Sequence, residues 1–289
     1  MADTLVQLVS ADPPAVHAQA RTDINGRAEL FLGPFGEEVP TQLEIQVGSG
    51  DSMTTLPLQT TEDATPIAIA LEQAESAGKV LDVMFVIDTT GSMGDELSYL
   101  QAELENVMVS VQDRHDEIAI RLGSTFYRDS GDDYLVRSVP FTEDLDTALT
   151  GLRAQRADGG GDYPEAVTAG LTDAIDEHEW STSAQARLLF LVLDAPPHAL
   201  PDRIEQLHAL TLRAQAKGIR IIPVASSGVD RPTEMLMRAM AVATGGTYTF
   251  LTNHSGIGGD HLEPTIGDYE VEYLDSLLIR LVAGAVTPR

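Results

Sequence analysis

The sequence contains no cysteine and only two lysines, Lys79 and Lys217. Without a thiol, disulfides, thiolate nucleophiles and cysteine-based zinc sites are excluded, and the redox compartment leaves no trace. Basic residues are scarce altogether: 18 stand against 45 acids in 289 residues, a formal net charge of −27. Such a surface repels phosphate backbones, so no nucleic-acid partner is expected. No apolar run approaches the roughly 18–20 residues that a membrane crossing requires, so no transmembrane segment is expected. The opening Met1-Ala2-Asp3-Thr4 lacks the basic-then-apolar pattern of a signal peptide. Strand-like sequence begins at Leu5, which leaves room for a longer native protein. The acid-rich, lysine-poor surface fits an extracellular or cell-surface setting, and equally the solvated face of a cytoplasmic protein.

What is present divides into two regions with different periodicities. Residues 1–76 read as short strands between turns, at Leu5–Ser10, Ala15–Arg21, Arg27–Leu32, Gln42–Val47, Met53–Gln59 and Pro66–Leu71. Asn25-Gly26 between two alternating segments predicts a hairpin, because both residues tolerate positive φ. Short strands at this spacing predict a small all-β, sandwich-like domain. Residues 77–289 instead alternate strands with helices, which predicts a doubly wound, mostly parallel α/β sheet. Its strands begin with the apolar run Val83–Ile87, and Arg187–Leu193 is a second buried run. Helices are expected over Gly94–Gln112, Pro164–Ile175, Ile204–Ala216 and Thr233–Ala243, and a last one over Tyr269–Val282 with Asp268 as its N-cap.

Ligands of open parallel sheets bind beyond the carboxyl ends of the strands. The first buried strand there runs into Asp88-Thr89-Thr90-Gly91-Ser92, and the second into Asp194-Ala195-Pro196-Pro197-His198. A glycine loop ending in Asp162 precedes the helix at Pro164. Asp88, Thr90, Ser92, Asp162 and Asp194 are therefore the candidate metal ligands. Oxygen donors without cysteine or an adjacent histidine select a hard cation, Mg²⁺ first, with Mn²⁺ or Ca²⁺ as alternatives. Asp129 and His198 are expected beside this site as supporting hydrogen-bonding residues. His198, His254, Asp260 and His261 read as ordinary loop residues before a second metal site.

These segments resemble the metal-ion-dependent adhesion site of von Willebrand factor A domains. Asp88-Thr89-Thr90-Gly91-Ser92 is similar to the family's first motif, Gly159-Gly160-Gly161-Asp162 to the second and Leu193-Asp194 to the third. Tyr127-Arg128-Asp129 and His254 to Gly258 bring the chain nearest to the hemicentin-like and bacterial members. The N-terminal stretch Ala20 to Leu30 more faintly resembles carboxypeptidase-regulatory, transthyretin-like sandwiches. The main resemblance implies a protein-binding or adhesion module whose metal accepts an oxygen, such as an acidic side chain, from a protein ligand. It also implies coupling of binding to the last helix. Integrin-type members carry threonine where this chain has Asp162, and a third carboxylate weakens the pull on an acidic ligand.

Two other classes stay open at this level. In one, the metal merely staples the loops of a structural or assembly module. In the other, Asp88 serves a metal-dependent phosphotransferase, but that chemistry wants a second acid where Thr90 stands and a nearby lysine. A serine hydrolase wants Gly-x-Ser-x-Gly, which Gly91-Ser92-Met93-Gly94 does not provide. No enzyme is expected.

Overall fold

The computed structural model describes residues 2–38, 40–48, 52–58, 66–71, 78–161, 163–252, 257 and 271–288. The N-terminal region holds β1 (Leu5–Ala11), β2 (Pro14–Arg21), β3 (Glu44–Val47) and β4 (Thr54–Pro57), paired antiparallel in the order β2-β1-β3-β4. One face buries Val6, Leu8, Ala18, Ile45 and Val47. The expected strands at 27–32 and 66–71 carry no sheet pairing among the described residues. They lie extended over that face, with Ala28, Leu30, Leu32, Ile69 and Leu71 packed against it. Their alternation marks a face to be buried, not a hydrogen-bonded edge, and the second layer is therefore made of unpaired chain. The expected hairpin at Asn25-Gly26 is reduced to its turn, with no strand among the described residues after it to pair with β2: the Asp23 carboxylate accepts the Asn25 and Arg27 amides at 2.8 Å, and the chain leaves for the sheet face.

From Val80 the chain builds a six-stranded sheet. Its elements are β5 (Val80–Asp88), α1 (Gly94–Gln112), β6 (Ala119–Tyr127), β7 (Val136–Thr142), α2 (Leu145–Arg153), α3 (Val167–Thr172), β8 (Ala186–Leu193), α4 (Pro201–Lys217), β9 (Ile219–Ala225), α5 (Arg231–Thr244), β10 (Thr249–Phe250) and α6 (Leu274–Val286). The strand order is β10-β9-β8-β5-β6-β7, parallel except for the antiparallel edge strand β7. β5 is buried on both faces. Leu81, Val83, Phe85 and Ile87 meet α1, α2 and α6, whereas Met84 and Val86 meet α3, α4 and α5. This two-sided cover is why its sequence is a continuous apolar run.

Two helices differ from expectation. α3 starts at Val167, not Pro164, because the Glu165 amide donates to the Pro196 carbonyl at 2.9 Å and pairs beside Pro197, holding that stretch extended. It passes into a π-helical turn over Asp173–Glu177. α6 begins at Leu274 and continues past Val282, because Ala285 and Val286 extend its buried stripe. The proposed cap Asp268 lies outside the described residues.

A buried ion pair joins the two regions. Asp3 receives two hydrogen bonds from the Arg187 guanidinium, at 2.6 and 2.9 Å, and the side chains are 7% and 4% exposed. Phe35 also stacks on His208 of α4 with ring centroids 4.0 Å apart. Removing one partner of a buried pair costs about 3–5 kcal/mol where the other charge is left alone, and Asp3 keeps Arg21 at 3.5 Å and the Ala184 amide at 3.2 Å. Arg187→Met is accordingly expected to lower the urea midpoint by an amount worth up to about 3 kcal/mol. An unchanged midpoint would show that the pair contributes nothing to stability.

Candidate metal centre

The carboxyl edge of the sheet gathers its polar groups from three loops. β5 delivers Asp88, fully buried, whose Oδ1 accepts the Thr90 amide at 2.8 Å and the Thr90 hydroxyl at 2.7 Å. Its Oδ2 has no hydrogen-bond partner. The residue after β8 is Asp194, 5% exposed, whose carboxyl lies beside Ser92 and whose Oδ1 is likewise unpartnered. Ser92 itself is exposed.

The loop over residues 157–161 is stitched across the first. Asp158 donates its amide to the Thr89 carbonyl at 3.1 Å, and Gly91 donates to the Gly159 carbonyl at 3.2 Å. Gly159 and Gly160 take φ of +78° and +71°, which glycine adopts without strain. Both are also crowded. A Cβ on Gly159 would stand 2.5 Å from Asp132 Oδ1, and one on Gly160 would stand 3.0 Å from Glu165 Oε1 and 3.2 Å from Thr90 Cβ. A cavity of about 580 Å³ opens here, lined by Thr90, Ser92, Tyr163, Glu165, Asp194 and Ser227 among others.

Of the five expected ligands, Asp88, Thr90, Ser92 and Asp194 come together, and Asp162 lies outside the described residues. Asp129 and His198 meet each other: His198 Nε2 is 2.7 Å from Asp129 Oδ1. His254, Asp260 and His261 lie outside the described residues. Arg128 is more deeply placed than an ordinary strand arginine. It is buried, donating to the Thr89 carbonyl at 3.2 Å and the Arg156 carbonyl at 2.7 Å, and so ties together the backbones of the loops after β5 and before Gly159.

Sequence reasoning passed over two acids, Glu96 and Glu165. Both read as first-turn residues of helices, where acids complement the dipole. Both are buried instead, each with one unpartnered carboxylate oxygen. Glu96 Oε1 accepts Ser227 Oγ at 3.3 Å. Pro164 before Glu165 was the available signal, since proline so often precedes or opens a helix that a stretched approach was easy to miss.

Burial dominates the electrostatics. It pushes the Asp88 carboxyl up to about 7, with the Asp194 charge adding to the rise. It pushes Glu165 up to about 8, helped by the charges of Asp88, Asp129, Asp132 and Asp194. Asp194 and Glu96 move up by burial as well. A buried carboxylate is costly unless a proton or a cation accompanies it. Orphaned oxygens on Asp88 and Asp194, beside two hydroxyls and an open cavity, fit a hard divalent ion. Among the described residues, no three His, Cys, Asp or Glu side chains stand at metal-holding spacing, so hydroxyls and water would have to complete the donor set.

Comparison with known proteins places this edge in a known context. Residues 119 long match an ariadne-like RING finger protein of Acanthamoeba polyphaga mimivirus at 33% identity, covering 41% of this chain and 11% of that protein. A stretch of 127 residues is 25% identical to the alpha-protein kinase vwkA of Dictyostelium discoideum, covering 44% of this chain and 20% of that one. The chain thus spans a fifth or less of these relatives. Among solved structures, the pilus adhesin SpaC of Lactobacillus rhamnosus GG in its open conformation superposes with a TM-score of 0.50 at 11% identity. That match covers 86% of this chain and 33% of SpaC, a likeness of fold. The protein BatB of Bacteroides thetaiotaomicron gives a TM-score of 0.46 at 13% identity, over 72% of this chain and 98% of BatB. The profile of the von Willebrand factor A domain matches residues 82–259, more than half of the sequence, and the chain belongs to that family.

Proposed function

We propose that this protein is a non-enzymatic recognition module whose divalent ion, Mg²⁺ first and Mn²⁺ or Ca²⁺ as alternatives, is held by Asp88, Thr90, Ser92, Asp162 and Asp194. Domains of this family commonly mediate protein–protein interaction or adhesion. The observation that carries the metal is the pair of orphaned, buried oxygens, Asp88 Oδ2 and Asp194 Oδ1, with Asp194 lining the cavity and Asp88 buried behind Thr90, which also lines it. When bound, such an ion offers a coordination position to an oxygen of a protein partner. The residues do the rest: Thr90 fixes the Asp88 carboxylate by two hydrogen bonds, and the Gly159–Gly160 loop leaves the approach open.

The exposed Ser92 and the breadth of the cavity favour recognition over a closed staple, in which protein oxygens would shut the ion away from solvent. The phosphotransferase reading lacks its lysine: Lys217 donates to the Ile175 carbonyl at the opposite end of the sheet. Coupling to α6 is extended here from the family resemblance. Tyr99 of α1 accepts the Asp275 amide at 3.1 Å, one of the contacts that hold that helix start, beside Leu274 packed against the core.

Calorimetric titration of Mg²⁺ into metal-stripped protein is expected to show one ion per chain. Asp88→Ala is expected to weaken binding by about 100-fold or more, at least the upper end of what supporting residues cost. Identical weak heats from both proteins would reduce the effect to counter-ion attraction by an acidic surface. Once a partner is captured, its binding is expected to vanish in excess EDTA and return with Mg²⁺. Retention in EDTA would leave the ion a staple.

A further inference from the structure

We infer that Glu165 supplies a further carboxylate to the divalent-ion centre, an inference that rests on the metal-dependent reading above. Glu165 is 4% exposed and its Oε2 makes no hydrogen bond. The two motif aspartates carry the same mark, an orphaned oxygen on a buried carboxylate. Asp88, Asp194 and Glu165 therefore share one unmet electrostatic requirement at one sheet edge.

The placement is fixed by backbone. Glu165 hydrogen-bonds Pro196 and pairs beside Pro197, in the loop that Asp194 opens. Its Oε1 and the Thr90 side chain both close on Gly160, 3.0 and 3.2 Å from where a Cβ would stand there. It lines the same cavity as Thr90, Ser92 and Asp194. A helix-capping role does not account for it, because Ala166 is the N-cap of α3 and no side-chain cap bond is made. Among the described residues, no arginine, lysine or histidine forms an ion pair with it.

A buried carboxylate with neither ion pair nor full hydrogen bonding is a standing cost, and a cation is the species that removes it. Asp88, Asp194 and Glu165 are not at mutual metal-holding spacing. Closing on an ion therefore requires side-chain movement, and of the three the glutamate has the longest reach. A neutral amide of the same shape would keep the packing and lose the charge.

The test titrates Mg²⁺ into the metal-stripped full chain of the parent, Glu165→Gln, Asp88→Ala and Asp133→Asn. Asp133 is an exposed acid of the loop before β7 and serves as the control for removing one charge. Expected are one ion in the parent, binding weakened about 100-fold or more in Asp88→Ala, and a Kd at least about tenfold weaker in Glu165→Gln. Asp133→Asn should stay within about twofold, since an exposed charge is screened. If Glu165→Gln behaves like Asp133→Asn while Asp88→Ala loses that affinity, the inference is overturned and the metal reading stands. If the parent binds nothing, both fall. Metal-stripped Glu165→Gln should melt at or above the parent temperature, with a smaller rise on adding Mg²⁺. A lower melting point with the full rise retained would make Glu165 structural and overturn the inference.

Discussion

Carboxylates held out of water at the ends of parallel strands set the electrostatics of the sheet's carboxyl edge. Asp88 and Asp194 terminate β5 and β8, neighbours in the sheet, so the register that buries Val83–Ile87 against Leu188–Val192 also forces two like charges together. Neither strand can relieve this by shifting. A one-residue slip would exchange the residues packed under α1, α2 and α6 with those packed under α3, α4 and α5. The repulsion is thus fixed by the hydrophobic core, and the local loops adapt to it: Thr90 turns back on Asp88, Ser92 lies beside Asp194, and Arg128 spends its donors on backbone carbonyls.

This arrangement also explains the glycines. Gly159 and Gly160 pass between Asp132 on one side and Glu165 with Thr90 on the other. A side chain at either position would fill the space between the carboxylates. The loop is therefore as much a spacer between charged groups as a turn, and Asp132 holds it by accepting the Gly160 amide at 2.9 Å.

Much of this was legible in the sequence. Continuous apolar runs announced β5 and β8, and the residues just after them, Asp88 and Asp194, did fall at one edge. Asp129 and His198 met, although 69 positions apart, because both follow strands of the same sheet. Other features were not legible for physical reasons. Alternation at 27–32 and 66–71 reports a buried face but cannot tell a paired strand from an extended segment lying on a sheet. Glu165 looked like a helix-start acid because nothing local reveals a hydrogen bond to Pro196, which comes from a distant loop. The apolar stripe of α6 set its period but not its limits, so the helix began and ended later than its pattern suggested.

The Asp3–Arg187 pair also fixes which end of the sheet the N-terminal region occupies. Arg187 lies at the second residue of β8, and Asp194 follows the strand's last residue. One buried, parallel-paired strand therefore has the N-terminal region fastened at its foot and a cavity carboxylate at its head. The backbone itself enters the sheet at Val80 of β5, the neighbour of β8, so the covalent connection and the ion pair bring the N-terminal region to the same foot of the sheet, away from the cavity.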